Sequence, residues 1–306
     1  TSLVEALLFT AGAKNRLGTV MDGTTTMDHD EDEIKRQMTI SAGLAHAEWA
    51  RHKVNLVDTP GEASFITEAL GTLPVVEAAL VVVNAVTKVE VQTERLWKRA
   101  RDMGVARIAA VNMMDRERAY FGEAMEALKA RFGGEAVAVA LPIGEETDFK
   151  GVVDLIAGKA YTYAGNTGKG TEGPIPDDLR DVAAEAREAL VDRVAESDDA
   201  LLEKYLDGNE LTQDEVAAAL AGAIKSGAMC PVMPVCSTKN IGVDRLLELL
   251  LAGPSPADVP ERTALEGSSG TGETKLATDA DAPAALFVFK TIYDQFSGRV
   301  NLARVF

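Results

Sequence analysis

Along the chain, short apolar runs ending in polar residues alternate with segments whose apolar residues return every three or four positions. That rhythm of strand, loop and helix predicts a parallel sheet covered by helices. Residues 53–57 form the first strand candidate and end in Asp58-Thr59-Pro60-Gly61. Residues 78–83 form a second, residues 107–111 a third ending in Asn112, and residues 230–235 a fourth ending in Cys236-Ser237. Between the second and third, residues 92–103 read as a helix closed by Gly104, a residue type favoured just past a helix end. Phe121, Met125, Leu128 and Phe132 fall on one helical face that Gly133-Gly134 terminates, and Leu246, Leu247, Leu250 and Leu251 mark another amphipathic helix before Gly253-Pro254. The pattern is α/β and doubly wound, with polar residues gathered at the carboxyl ends of strands, where such sheets bind ligands.

Residues 135–228 interrupt this rhythm. An alternating segment at 136–143 is followed by strand-like runs at 151–156 and 160–163, then by helices. Leu179, Val182, Ala186, Leu190 and Val194 share one helical face, and Thr212 with Glu215 forms a capping-box signature before Val216 and Leu220. The predicted organisation is a main α/β domain at 1–134, an inserted α/β subdomain at 135–228, and the closing strand and helix of the main domain at 229–258. A linker or long loop at 259–282, with Gly-Ser-Ser-Gly-Thr-Gly inside it, then leads to two strands that open a β domain at 283–306.

Composition narrows the function classes. The 306 residues carry a formal charge of −17, which disfavours coating bare DNA or RNA, or an anionic membrane, by counterion release. Hydrophobic residues at 46% and charged residues at 26% suit a folded soluble domain, and the longest apolar run is too short to cross a bilayer. Residues 177–215 hold 14 acidic and 4 basic side chains, a net of −10, which reads either as a solvated helix face or as a surface for a basic partner. Cys230 and Cys236 make neither a metal spacing nor a disulfide framework, which suits a reducing, cytoplasmic compartment. His29, His46 and His52 are scattered and polar-flanked, and are expected on the surface. The chain begins at Thr1 and ends inside an apolar run, so it is expected to be part of a longer protein; a monomer is expected.

Three strand ends carry chemistry. A carboxylate at Asp58 can hold a magnesium ion through water, and Gly61 lets a backbone N–H approach a terminal phosphate; taken alone, the same four residues are an ordinary strand exit. Asn112-Met113-Met114-Asp115 supplies an amide and a carboxylate, and a carboxylate accepts the two N–H donors on the edge of guanine but finds none on adenine; alone, it is also a loop cap. Ser237-Thr238-Lys239 can close over a base with backbone N–H groups, or simply enter a helix. In this order, each at the end of a strand, the three point to a guanine-nucleotide site.

These motifs, with others, resemble the guanine-nucleotide domain of translational GTPases, most closely those of the bacterial elongation factor G type. Thr1-Ser2-Leu3-Val4-Glu5-Ala6-Leu7-Leu8 is similar to the end of the phosphate loop and its following helix. Asp22-Gly23, Met27-Asp28 and Arg36-Gln37-Met38-Thr39-Ile40 resemble the first switch segment. Residues 149–155 and 202–206 resemble the insert of that family, and Phe289-Lys290-Thr291 with Gly298-Arg299 the opening of the β-barrel that follows. The resemblance implies a P-loop GTPase domain with an inserted subdomain, acting in the cytoplasm on the ribosome, with large-subunit RNA and the stalk protein as partners. It implies GTP or GDP as ligand with Mg2+ held by Thr1, Thr39 and Asp58. It places Thr1, Ser2, Asp58, Thr59, Pro60 and Gly61 around the phosphates and Asn112, Met113, Asp115, Ser237 and Thr238 around the guanine. Glu62, Thr39 and Gly61 become the residues nearest the hydrolytic chemistry.

The sequence departs from the family in three places. Met113 stands where the family has a lysine, and keeps the apolar contact without the charge. Gln37 stands where it has a glycine, and Glu62 where it has the catalytic histidine after D-T-P-G. The expectation is a GTP-hydrolysing elongation factor. The alternatives are a ribosome-associated GTP-binding paralogue with weak or no hydrolysis, and a factor of the ribosomal protection type.

Overall fold

The computed structural model describes residues 1–259, 261–266, 272–279, 281–294, 296 and 298–306. The chain enters through helix α1 (Ser2–Thr10), which buries Leu3, Ala6, Leu7 and Leu8. A loop leads to a short helix, α2 (Glu31–Arg36), and then to the antiparallel hairpin of β1 (Gly43–Trp49) and β2 (His52–Asp58). His29, His46 and His52 are all exposed, as expected. After β2 come α3 (Ile66–Thr72), β3 (Ala78–Asn84), α4 (Val91–Asp102), β4 (Ala106–Asn112) and α5 (Phe121–Phe132). Helix α4 stops where Gly104 takes φ +67°, and the amide N–H groups of Gly104 and Val105 return to the carbonyls of Arg101 and Ala100.

The alternating segment at 136–143, expected within the insert, belongs to two sheets. β5 (Ala136–Ala138) pairs in parallel with a strand near the end of the main domain, whereas β6 (Ala140–Ile143) opens the insert. Val139 lies between them. Its N–H donates to the Val232 carbonyl at 3.0 Å on one side, and its own carbonyl accepts from the Leu155 N–H at 3.0 Å on the other. The insert proper therefore begins about Ala140, not at Glu135.

Its sheet adds β7 (Gly151–Asp154), β8 (Lys159–Thr162) and β9 (Thr171–Gly173) in antiparallel order β6-β7-β8-β9. Helices α6 (Arg180–Ala195), α7 (Asp199–Leu206) and α8 (Gln213–Lys225) follow. The buried stripe of α6 runs through Ala183, Leu190 and Val194, and Val182 is 54% exposed. Of the five residues expected on one face, Leu179, Ala186, Leu190 and Val194 pack against the core and Val182 does not: steps of four residues drift by about 40° each at 3.6 residues per turn, so Val182 lies about 120° from Val194 and Ala183 faces the core instead. The Thr212–Glu215 capping box forms as expected, and Lys204 pairs with Glu215. The Lys204 contact and the N–H and hydroxyl of Thr212 together lower the Glu215 carboxyl to about 2.

β10 (Cys230–Pro234) returns to the main domain and is followed by α9 (Val243–Leu251). The central sheet has the order β3-β4-β10-β5, all parallel, and β4 and β10 are buried along their whole length. Two inner strands buried on both faces need helices on each side, which explains their unbroken apolar runs. The stretch 259–282, expected as a linker or loop, contains an antiparallel hairpin of β11 (Glu261–Glu266) and β12 (Gly272–Ala277); residues 267–271 of its glycine-serine segment lie outside the described residues. β13 (Leu286–Asp294) and β14 (Gly298–Val305) then pair antiparallel, with Asp294 opposite Gly298.

Candidate functional site

The carboxyl ends of β2, β4 and β10 hold the polar residues singled out in the sequence. Asp58 ends β2, and its Oδ2 accepts from the Thr1 hydroxyl at 2.7 Å. Thr1 Oγ1 also lies 2.5 Å from Thr39 Oγ1, and the Thr39 hydroxyl donates to Asp28 Oδ1 at 2.7 Å. Thr1, Thr39 and Asp58 thus meet as anticipated, although they come from the start of α1, the loop after α2 and the end of β2.

Asp28 completes this cluster and was not among the anticipated ligands. Its side chain is buried, and Oδ2 has no hydrogen-bond partner among the described residues. A buried carboxylate oxygen without a partner is costly. Two carboxylates and two hydroxyls are the hard oxygen donors that Mg2+ takes, and the orphaned oxygen is one that a cation or its water would satisfy. The residues present fit that ion.

The segment bearing Thr39 is held by two buried or half-buried acids. Glu33, in α2, accepts the N–H groups of Ile40 and Ser41 at 3.0 and 3.1 Å, and Glu68, in α3, accepts that of Ala42 at 3.0 Å. Asp30 and Glu33 also form the capping box that starts α2, a signal present in the sequence but hidden within an acidic run. Gln37 ends that helix at φ +53° and ψ +41°, the left-handed region where glycine is at ease and a side chain costs about 1 kcal/mol or more. Glu5, in α1, is buried and accepts from Gly18 N–H, Thr26 N–H and the Thr26 hydroxyl, with Lys14 beside it. Burial opposes its ionisation, but Lys14 and these donors outweigh that and hold its carboxyl below the ordinary range.

A second cluster lies at the ends of β4 and β10. Asn112 and Ser237 hold each other reciprocally: Asn112 Nδ2 donates to Ser237 Oγ at 3.1 Å, and the Ser237 N–H donates to Asn112 Oδ1 at 3.0 Å. Asp115 has a long ion pair with Lys239, 3.8 Å, and the Cys236 thiol beside it, so its carboxylate retains free acceptor capacity. Met113 sits at φ +64° with its side chain 40% exposed, on the rim. Thr238 Oγ1 is 3.3 Å from Cys236 Sγ, and burial pushes the Cys236 thiol up, so that it acts as a small apolar residue. Helix α1 relates the clusters: Thr1 stands at its start and Thr10, at its end, donates to Asn240 at 3.0 Å, three residues after Ser237. At 1.5 Å per residue, nine residues set the two about 14 Å apart.

Gly61 and Glu62 join neither cluster. Both are exposed, and a Cβ added at Gly61 would meet nothing within 4 Å, so the backbone is open to an approaching group. Glu62 precedes a one-turn helix at Ala63–Phe65, and its carboxylate makes no hydrogen bond or ion pair with any described residue. Ser2 opens α1, Thr59 is half-buried and Pro60 is buried.

These ends of strands, with a cation cluster beside a carboxylate and amide frame, define a nucleotide-binding α/β domain. Its sequence matches the family of elongation factor Tu GTP-binding domains over residues 1–254, and the chain belongs to that family. A solved protein from Thermus thermophilus superposes with a TM-score of 0.87 at 34% identity; the match covers 100% of this chain and 43% of that one. The chain thus spans less than half the length of that protein. The fold is a P-loop GTPase domain of translation-factor type, a guanine-nucleotide binder, and β13 and β14 fit the start of a β-barrel domain. No helix among the described residues is long and apolar enough to cross a membrane.

Proposed function

We propose that the chain is the GTP-binding part of a translation factor that acts on the ribosome and couples GTP hydrolysis to elongation. The observation that carries this reading is the convergence of Thr1, Asp28, Thr39 and Asp58 at one end of α1, with the Asn112–Asp115–Ser237 frame at the other. Asp115 accepts the paired donors of the guanine edge, while Asn112 and Ser237 fix the loop that closes on the base. Thr1 and Thr39 supply hydroxyls to Mg2+, which when bound neutralises phosphate charge, and Asp28 and Asp58 hold its waters. The open backbone at Gly61 meets the terminal phosphate. By resemblance, the acidic insert is the part that meets the ribosomal stalk, through exposed Leu206 and Val182 on α7 and α6. The test is nucleotide binding and hydrolysis by the natural full-length protein, with and without ribosomes. Ribosome-stimulated GTP hydrolysis is expected; guanine-nucleotide binding without any effect of ribosomes removes the ribosomal part of the reading.

Glu62 favours a second reading, in which the factor works by occupancy and hydrolyses GTP slowly. Phosphoryl transfer relies on positioned groups and charge stabilisation, and an ionised Glu62 turned inward would face an anionic phosphate. At an effective dielectric of 20, two like charges 4 Å apart repel by about 4 kcal/mol. The unpartnered, exposed side chain is free to turn outward instead. Glu62→His is expected to raise single-turnover hydrolysis at saturating ribosomes about ten-fold, equivalent to about 1.4 kcal/mol of barrier. A wild type as fast as an ordinary elongation factor, slowed by the substitution, would make Glu62 a working catalytic residue.

A further inference from the structure

The barrel strands do more than follow the nucleotide domain. Lys290, on β13, donates to Ser41 Oγ at 2.6 Å and also to the Ala42 carbonyl. Those two residues follow shortly after Thr39 in the chain, and the contact bridges 249 and 248 positions of sequence. Arg262 and Arg304 converge in turn on Glu77 and on the carbonyls of Pro74, Val75 and Val76, the segment that leaves α3. Cations from beyond the nucleotide domain therefore grip two of its segments.

The grip on Ser41 and Ala42 differs in kind from the one on Pro74–Glu77. At Pro74–Glu77 two arginines meet one carboxylate and three carbonyls, and the segment carries no residue of the site. At Ser41–Ala42, three elements hold three consecutive residues, Ile40 to Ala42: α2 through Glu33, α3 through Glu68 and β13 through Lys290, while Thr39 at the segment's head reaches Thr1. Glu33 and Glu68 accept the amide N–H groups of Ile40, Ser41 and Ala42. Lys290 supplies the donor for the opposite polarity, the Ala42 carbonyl and the Ser41 hydroxyl. Without it the carbonyl loses a charge-assisted partner, and such bonds are roughly twice as strong as neutral ones.

We infer that Lys290 is a positioning residue: it holds the Thr39–Ala42 segment so that the Thr39 hydroxyl faces the cation and terminal phosphate, and thereby couples the seat of the barrel to the bound nucleotide. The inference rests on the guanine-nucleotide and magnesium reading given above. It predicts selectivity between nucleotides, because Thr39 matters to the triphosphate-bound state and the base frame is shared by both. Linkage makes the coupling reciprocal: what the barrel lends to GTP, GTP lends to the barrel contact.

The experiment uses the natural full-length protein and its Lys290→Met, Lys290→Arg and Ser41→Ala variants. Amide hydrogen exchange without nucleotide reads the tether itself, and titration with GDP and with a non-hydrolysable GTP analogue over a range of Mg2+ reads its effect. Lys290→Met is expected to speed exchange at residues 39–43 about ten-fold or more. It should weaken the GTP analogue about ten-fold and raise the Mg2+ that analogue needs, with GDP affinity unchanged. Lys290→Arg should restore most of this, and Ser41→Ala should give a smaller loss of the same kind. Unchanged exchange, or equal weakening of GDP and the analogue, overturns the inference while leaving the nucleotide site intact. Wild-type protein that binds neither nucleotide overturns the function proposed above together with the coupling, and the exchange data still show whether the tether exists.

Discussion

The two ends of the central sheet use polar residues in opposite ways. At the amino end, Arg107 at the start of β4 is 2% exposed and donates to the Gly227 carbonyl at 2.5 Å, with Glu135 at 3.3 Å. The Trp97 indole N–H donates to the same Glu135 at 2.6 Å, Arg107 lies 5.8 Å from the centre of the Trp97 ring, and Phe132 stacks on that ring at 4.1 Å. The Arg107 Nε and Nη1 find no hydrogen-bond acceptor among the described residues, but Nη1 lies within ion-pair distance of Glu135, so the two charges there answer one another. At the carboxyl end the balance is left open. Among the described residues, Asp28 keeps an orphaned oxygen, Asp115 a long ion pair, Glu62 no partner, and Gln37 and Met113 a backbone conformation that suits glycine. Strand β4 therefore serves stability at its start, through Arg107, and leads at its end to Met113 and Asp115, where the free acceptor capacity suits a ligand.

Substitutions at the two ends should separate stability from binding. The largest effect belongs to Glu135→Ala, which leaves the buried Arg107 guanidinium without its counter-charge and the Trp97 N–H without its acceptor. Losing one member of a buried pair costs about 3–5 kcal/mol, to be read as a lower urea midpoint, with GDP affinity of the folded fraction unchanged. A comparable loss of GDP affinity would mean that the ends are not independent. Next comes Asp115→Asn, which should lower GDP affinity about 100-fold, or about 2.7 kcal/mol, and shift preference toward the xanthine nucleotide. Its urea midpoint should stay nearly constant; ATP competing as well as GTP against the wild type would remove Asp115 from base recognition. The smallest effect is Gln37→Gly, expected to stabilise the protein by about 0.5–1 kcal/mol by relieving the left-handed side chain, despite the larger freedom of glycine in the unfolded chain. A loss of stability there would show that the Gln37 side chain, 3.5 Å from the Met21 carbonyl, contributes more than its backbone costs.

The central sheet was largely legible because its strands are short apolar runs with polar ends, and α4, α5 and α9 keep a clear helical period. Residues 136–143 mark where pattern reading stops: alternation describes a strand but not which sheet it joins, and the deciding partners, Val232 and Leu155, lie far along the chain or in a different sheet. Val182 failed for a geometric reason, since residues spaced by four drift about 40° per step around a helix of 3.6 residues per turn, and three such steps separate it from Val194. The β11–β12 hairpin was obscured by the glycine and serine between its strands. In the site, Asp58, Asn112 and Ser237 were legible as strand-end residues, whereas Thr1 and Thr39 gained meaning only from the family resemblance. Asp28 was hidden because its position depends on a loop folding back over 27 residues to reach Thr1. Glu33 was readable in principle from its capping-box spacing with Asp30, but six acidic residues in the stretch 22–33 make that spacing common by chance.

Val139 gives the molecule a hinge without slack. Its N–H belongs to the ladder of β10 and its carbonyl to the sheet of the insert, so one residue is bonded into two sheets at once. A tug on the insert is thus delivered to the middle of β10, two residues before Pro234 and five before Ser237. Turning the insert about that point means surrendering a hydrogen bond on one sheet or the other, a resistance of about 0.5–1.5 kcal/mol set by a single residue, as a rivet resists where two plates overlap.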